Sequence, residues 1–537
     1  KRVLAELPWQ LEHAGEWKRL LKCIGDTDVF YAMATSNLPE LSYYWRVVEQ
    51  HTGKTAVETY TEAVSGTASM QSHRTPANVL PGDLHFLIAE FFVTIASYEP
   101  AVSMLESARK WYDVSSQSME VAKVDYKIAQ VRLIQARYDE SEKLLKKALQ
   151  IYRRERGDVD ADVARCLNRL GNLYVDSNQL DEAERCLKEA LRVRRELYGP
   201  AHSRVGQTLK NMMNLASVRC QWDVALAHGL ESLAIQEAEF GHEDMHLVSA
   251  LTALGRIHMS QHDFKAAGER FNRALKICES EVGERHPKTA AVVYELGCFY
   301  FVKPEDLEDG AEWSSDKAEE WYKRALDIYE QVYGDQHPDV ARVKNRLGTL
   351  YIERTQFSRA EQYFKDALSI RIATLGAHHS RVAQTYKHLI TCYQLQEKFS
   401  EALKVALKAG EVIGKVHGQG SLHHLRVQVR IGEIFFLQDG HTSVEGRKIM
   451  ATAVQGLEKL KGPTDKEVVD LRNTIQTLQS APKIETKKKA TVQVQSDDVD
   501  AVTADVKFDI GRRALLRGVE RVQRVAQKPA GGAVKKA

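Results

Sequence analysis

Residues 163–204 read VARCLNRLGNLYVDSNQLDEAERCLKEALRVRRELYGPAHSR, and residues 340–381 read VARVKNRLGTLYIERTQFSRAEQYFKDALSIRIATLGAHHSR. Asn168 and Asn345, Gly171 and Gly348, Tyr174 and Tyr351, Ala183 and Ala360, and Ala190 and Ala367 stand at matching places. Self-similarity over this length marks a repeat architecture.

The pattern runs outward in both directions. Units open at Val121, Val163, Val205, Leu247 and Thr289, 42 residues apart. The next opening, Val340, comes 51 residues on, and Val382 and a degenerate opening near His424 resume the 42-residue step. A small residue follows six of the eight openings by eight: Ala129, Gly171, Gly255, Gly297, Gly348 and Gly432. Three further on stands an aromatic: Tyr174, Tyr300, Tyr351, Tyr393 and Phe435. Two alanine columns come later, one at Ala183, Ala225, Ala267, Ala318, Ala360 and Ala402, the other at Ala148, Ala190, Ala274, Ala325, Ala367, Ala409 and Ala451. Small residues let two antiparallel helices approach, and the aromatic fills the gap between neighbouring hairpins. Polar turns such as Asp176-Ser-Asn-Gln separate the two helices. Glycine ends one helix and proline starts the next in loops such as Gly283-Glu-Arg-His-Pro and Tyr333-Gly-Asp-Gln-His-Pro.

These columns resemble the tetratricopeptide repeat, whose period is about 34 residues. The surplus of about eight residues lengthens the helices and loop. The fold implied is all-α: a right-handed superhelical solenoid of helical hairpins. The 42-residue unit with its G-x-x-H-P loop resembles the repeats of kinesin light chains and of the nephrocystin-3 family. Outside the array, Glu6-Leu-Pro-Trp-Gln-Leu, Glu16-Trp-Lys-Arg-Leu-Leu and Leu41-Ser-Tyr-Tyr-Trp resemble the Trp-rich helical segment between NTPase module and repeats in nephrocystin-3. That resemblance implies a NACHT-type signal-transduction NTPase upstream of Lys1, and the chain as the C-terminal part of a longer protein.

The expected organisation is a helical segment at 1–64 and a Ser/Thr/Ala/Gly-rich linker at 65–81. A degenerate hairpin at 82–120 carries the stripe Leu84, Leu87, Ile88 and Phe91. Eight repeats fill 121–462. A helix at 463–480 covers the open apolar end, as terminal repeats require. A basic tail at 481–537 reads as mostly disordered, with one conditional helix at 506–526.

Composition excludes several classes. The 537 residues are 43% hydrophobic and 28% charged, with a net charge of +2, so no global field points to nucleic acid. Seven scattered cysteines without a C-x-x-C pair read as free thiols in a reducing compartment. No run of 18 apolar residues calls for a membrane span, and no secretory signal opens the chain.

Catalytic signals are absent. Thr52-Gly-Lys-Thr imitates the end of a phosphate-binding loop, but the required earlier glycine is Val48. A helix-to-helix turn is the better reading. His202, His286, His337 and His379 recur too far apart for a metal and read as structural loop contacts. No cofactor, no metal and no enzyme activity are expected.

The inner face is more informative. First helices should line the groove with Lys123, Arg165, Asn168, Asn172, Lys210, Asn214, Arg256, Arg342, Asn345, Lys387 and Arg426. Cations and amides suit an extended acidic protein segment, through its carboxylates and backbone. Kinesin-light-chain repeats carry asparagine at the places of Asn168 and Asn345. The extra nine residues put Glu305, Asp306 and Trp313 in an acidic insertion between the helices of one hairpin, a docking loop or drift in a tolerant turn. In the tail, Phe508, Leu515, Val519 and Val522 share a face, with Arg512, Arg513, Arg517 and Arg521 around it. That is a basic helix for a groove or an acidic lattice such as tubulin.

The expected function is a non-catalytic protein-interaction scaffold of a cilium, flagellum or axoneme. A kinesin-light-chain-like cargo adaptor, or the sensor arm of an NTPase, are the alternatives.

Overall fold

The computed structural model describes residues 2–65, 79–302, 315–439 and 443–480, and no strand occurs among them. The chain begins with α1 (Arg2–His13), α2 (Trp17–Ile24), α3 (Thr27–Ser36), α4 (Leu38–Thr52) and α5 (Ala56–Ser65). Helices then alternate, first with second: α6 (Pro81–Thr94) and α7 (Tyr98–Val114), α8 (Ser118–Ile134) and α9 (Tyr138–Arg156), α10 (Ala161–Asp176) and α11 (Leu180–Tyr198), α12 (Ser203–Val218) and α13 (Trp222–Phe240). There follow α14 (Val248–Ser260) and α15 (Phe264–Glu281), α16 (Pro287–Phe301) and α17 (Ser315–Tyr333), α18 (Pro338–Glu353) and α19 (Phe357–Leu375). The last are α20 (Ser380–Leu395) and α21 (Phe399–His417), α22 (Leu422–Asp439) and α23 (Val444–Lys461), and α24 (Lys466–Ser480).

Two compact units divide the chain, Lys1–Val343 and Lys344–Ala537. In the first, each helix from α6 to α17 packs on the next in sequence. In the second the same serial packing runs from α19 to α24. The expected linker 65–81 is described only at its two ends. The insertion and the tail fall outside the described residues, and with them Glu305, Asp306, Trp313, Phe508, Arg512, Arg513, Leu515, Arg517, Val519, Arg521 and Val522.

Close approach within each hairpin explains the glycine column. A Cβ at Gly255 would lie 2.7 Å from the ring of Phe271, and one at Gly297 would lie 2.5 Å from Tyr322. The large partner sits on the second helix and is fully buried, as Leu187, Phe271, Tyr322 or Phe364. Between hairpins, Tyr174 is buried and donates its hydroxyl to Glu142 on α9 at 2.9 Å. The last hairpin is closed by α24, whose Val468 and Leu471 join the buried cluster of Leu425, Val429, Met450 and Leu457.

The passage from one hairpin to the next uses a fixed device. Gly157, Gly199, Gly241 and Gly283 all take φ between 81° and 88°. Gly241 combines φ 86° with ψ −178°, a region open essentially to glycine alone. Three residues later comes an N-cap. Asp160 and Asp244 accept backbone N–H bonds there. His202 and His286 accept through Nδ1, from the amides of Arg204 and Lys288, each at 3.1 Å. His337 accepts from Asp339 at 3.2 Å and His379 from Arg381 at 2.9 Å. The recurring histidines are therefore caps.

Gly241→Ala meets no atom within 4 Å, so its cost is conformational. It should lower the stability of the first unit by about 1–3 kcal/mol in urea unfolding. A capping imidazole must be neutral to accept at Nδ1. Burial pushes His286 below the ordinary 6.5, with the Lys288 charge adding to it. Burial likewise lowers His337, against the opposing charge of Asp339. The folded state thus binds fewer protons than the unfolded one near these values. The caps contribute fully above about pH 6.5, and the contribution is lost as pH falls through the lowered folded values. His286→Asn with His337→Asn keeps a capping side chain without a titration. Between pH 7.5 and 5.5 the urea midpoint should fall less in this variant than in the parent.

Candidate protein-binding groove

First helices of successive hairpins present parallel rows, and side chains from neighbouring rows meet in rungs. The Arg165 guanidinium lies 4.9 Å over the Tyr126 ring and pairs with Asp162 at 2.6 Å. Arg342 lies 4.5 Å over Tyr294, pairs with Asp339 at 3.2 Å and donates to the Tyr329 hydroxyl at 3.1 Å. Asp339 and the neighbouring tyrosines hold Arg342 above its ordinary pKa despite its burial. Lys123 sits 5.2 Å over Phe86 and pairs with Glu120 at 3.2 Å. Arg256 pairs with Glu295 of α16 at 3.1 Å. Four expected groove cations thus already have a carboxylate.

Lys210 differs. Its Nζ donates to the Ser249 hydroxyl at 3.2 Å, and no carboxylate pairs with it among the described residues. Burial lowers its pKa, and the charge of Arg256 lowers it further. A desolvated cation beside a second cation is a place where an anion gains most. Lys210 lines a cavity of about 760 Å³ with Arg204, Gln207, Thr252, Arg256 and Lys288. Met245, Val248 and Val292 form its apolar wall. Arg204 and Lys288 also have no ion pair among the described residues.

The amides divide. Asn168 is 8% exposed and Asn345 5%, and the Oδ1 of each has no hydrogen-bond partner among the described residues. A buried acceptor left open costs about 1–3 kcal/mol. Asn172 is half-buried and Asn214 exposed.

In the second unit Lys387 is half-buried on α20. Arg426 on α22 already has a partner within the chain. Its Nε and Nη2 grip Glu467 at 2.8 and 2.9 Å, because α24 brings that carboxylate onto α22. Its role there is to hold the end helix.

Thr52-Gly-Lys-Thr is a turn between α4 and α5. Gly53 caps α4 at φ 69°, and Thr55 and Glu58 cap the start of α5 reciprocally at 3.1 and 3.2 Å. Among the described residues no group of three metal-ligating side chains occurs, and no helix is long and apolar enough to cross a membrane.

Sequence reading missed the rings under the cations, Tyr126, Tyr294 and Phe86. The signal was present as spacing, since Tyr126–Arg165, Lys210–Ser249 and Arg256–Glu295 are each 39 residues apart.

Segments of the chain match a known repeat family. Residues 120–196, 204–280 and 314–373 match the tetratricopeptide repeat family. A TPR repeat-containing protein of Dictyostelium discoideum is 24% identical over 371 residues, 67% of this chain. The chain spans 17% of the length of that relative. Among solved structures, BtubC (BKLC) of P. vanneervenii is similar at 17% identity and TM-score 0.37, over 52% of this chain and 98% of that one. A kinesin light chain of Podosopora anserina with nearly identical TPR-like repeats is similar at 16% identity and TM-score 0.35, over 40% of this chain and 96% of that one. The three matched segments of this chain carry tetratricopeptide repeats.

Proposed function

We propose that this chain is a non-catalytic scaffold that binds an extended acidic segment of another protein along the inner groove of its first unit. One observation carries the reading: Lys210 is a partly desolvated cation that pairs with no carboxylate among the described residues, facing a cavity large enough for a side chain and its backbone, whose Glu295 pairs with Arg256 instead. Arg165 and Arg342 add field, but their own carboxylates and rings already satisfy them.

The reading extends to place and partner class. The Trp-rich lead-in and the 42-residue repeats resemble nephrocystin-3, which favours a cytoplasmic setting at a cilium or flagellum. Axonemal proteins carrying acidic stretches are then the partner class. The kinesin-light-chain resemblance of the repeats favours the same groove used for cargo.

A fluorescent Glu-rich peptide added to the whole chain tests the groove. Lys210→Glu should weaken binding at least about tenfold, close to 1.4 kcal/mol. Arg165→Glu and Arg342→Glu should each cost less. Binding should also fall as salt rises. Affinity unchanged by Lys210→Glu, alone or with the other two, contradicts the reading.

A further inference from the structure

The run of hairpins in the first unit comes back on its own start. α4, which lies before the array, packs on α6 and also on α17. Arg46 of α4 lays its stem against the turn after α17: its Cδ and Cγ lie 3.6 and 3.8 Å from where a Cβ would stand on Gly334. The Arg46 guanidinium is 5.3 Å over the Tyr43 ring, and Tyr43 donates to Glu12 of α1 at 3.0 Å. Three residues past Gly334, the His337 ring stacks on Tyr333 at 4.3 Å and lies beside the backbone of Thr94, the last residue of α6. Two adjacent contacts therefore join the two ends of the run α6–α17.

The joint has the makings of one that opens. Arg46 Nε is buried with no hydrogen-bond partner among the described residues. Water would satisfy that N–H once α4 lifts, so closure carries a cost that opening removes. Within the hairpins, fully buried side chains such as Phe271 and Tyr322 interlock with glycines. Loss of the joint leaves those contacts in place, as expected of a low-stability element on a stable array.

We propose that α4 is a latch that holds the first unit in a closed circuit through Arg46 and Gly334, and that its release opens the inner groove from the side. With the circuit closed, an extended segment reaches the cavity around Lys210 by threading end-on. With it open, the segment enters broadside. The gating half of this proposal rests on the groove reading above, whereas the closure does not. α4 is thus a regulator of binding, acting on rate.

Hydrogen–deuterium exchange on the whole chain tests the latch. Arg46→Glu should speed exchange at least about tenfold around Thr94–Ser97 and around Tyr333–Asp339 together, with α10 and α12 unchanged. Arg46→Lys, the gentler change, should move the same two segments in the same direction by less. Faster exchange confined to α4, or in one of the two segments alone, or spread through the array, overturns the latch. The Glu-rich peptide reads the gating: its association rate should rise at least about threefold in Arg46→Glu. An unchanged or slower rate overturns the gating. No binding to either chain overturns the groove reading and the gating with it, while the exchange result still decides the latch.

Discussion

The junction between one hairpin and the next constrains everything else in this protein. Each junction from α9 onward has a glycine at positive φ and, three residues on, a side chain that caps the next first helix. In the first unit the glycines run from Gly157 to Gly334, and in the second Gly376, Gly418 and Gly462 repeat the conformation, with φ between 88° and 93°. Ser421 caps α22 in the manner of the histidines and aspartates. A chain forced through one conformation at equal intervals must repeat its hairpins at a constant offset. That constancy lines up the first helices and makes an inner face with rows. A single hairpin has two apolar faces and can bury one. Stacking buries the other, and α24 closes the stack in the second unit through Val468 and Leu471.

Rows in register also decide which groove charges remain available. A cation on one first helix meets the row of its neighbour, so Arg165 rests on Tyr126 and Arg342 on Tyr294. Lys210 meets the short Ser249 hydroxyl instead, which leaves space beside its charge. The cavity around Lys210 is lined by the short side chains of Ser249 and Thr252 on α14 and of Ala291 on α16. Electrostatic pull is thereby gathered at α12–α16 rather than spread along every repeat.

Much of the fold was legible because it is periodic. Residues that pack against copies of themselves repeat, and the 42-residue step, the glycine column and the alanine columns all followed from that. The capping column was half legible, since histidine alternates with aspartate and serine. The acceptor is conserved from unit to unit while the letter changes. The large residue facing each glycine hid the same way, as Leu187, Phe271, Tyr322 and Phe364 share size and burial but not identity. The inner-face residues could be named from helix spacing, yet their state could not. Whether a cation is spent depends on a residue 39 positions away, as for Arg256 and Glu295. The bidentate grip of Glu467 likewise occupies Arg426. The contact of Arg46 with Gly334 left no periodic trace, because it joins a segment outside the repeats to one within them.

The central claim is that an acidic segment lies in the inner groove beside Lys210. Site-specific photo-crosslinking measures this most directly. A photoreactive residue in place of Thr252, which lines the cavity, is compared with one in place of Ala234, which is exposed on the second helix α13. The account predicts that a Glu-rich peptide is captured at position 252 and not at 234, with capture lost at high salt. Equal capture at both positions, or capture at 234 alone, would contradict it.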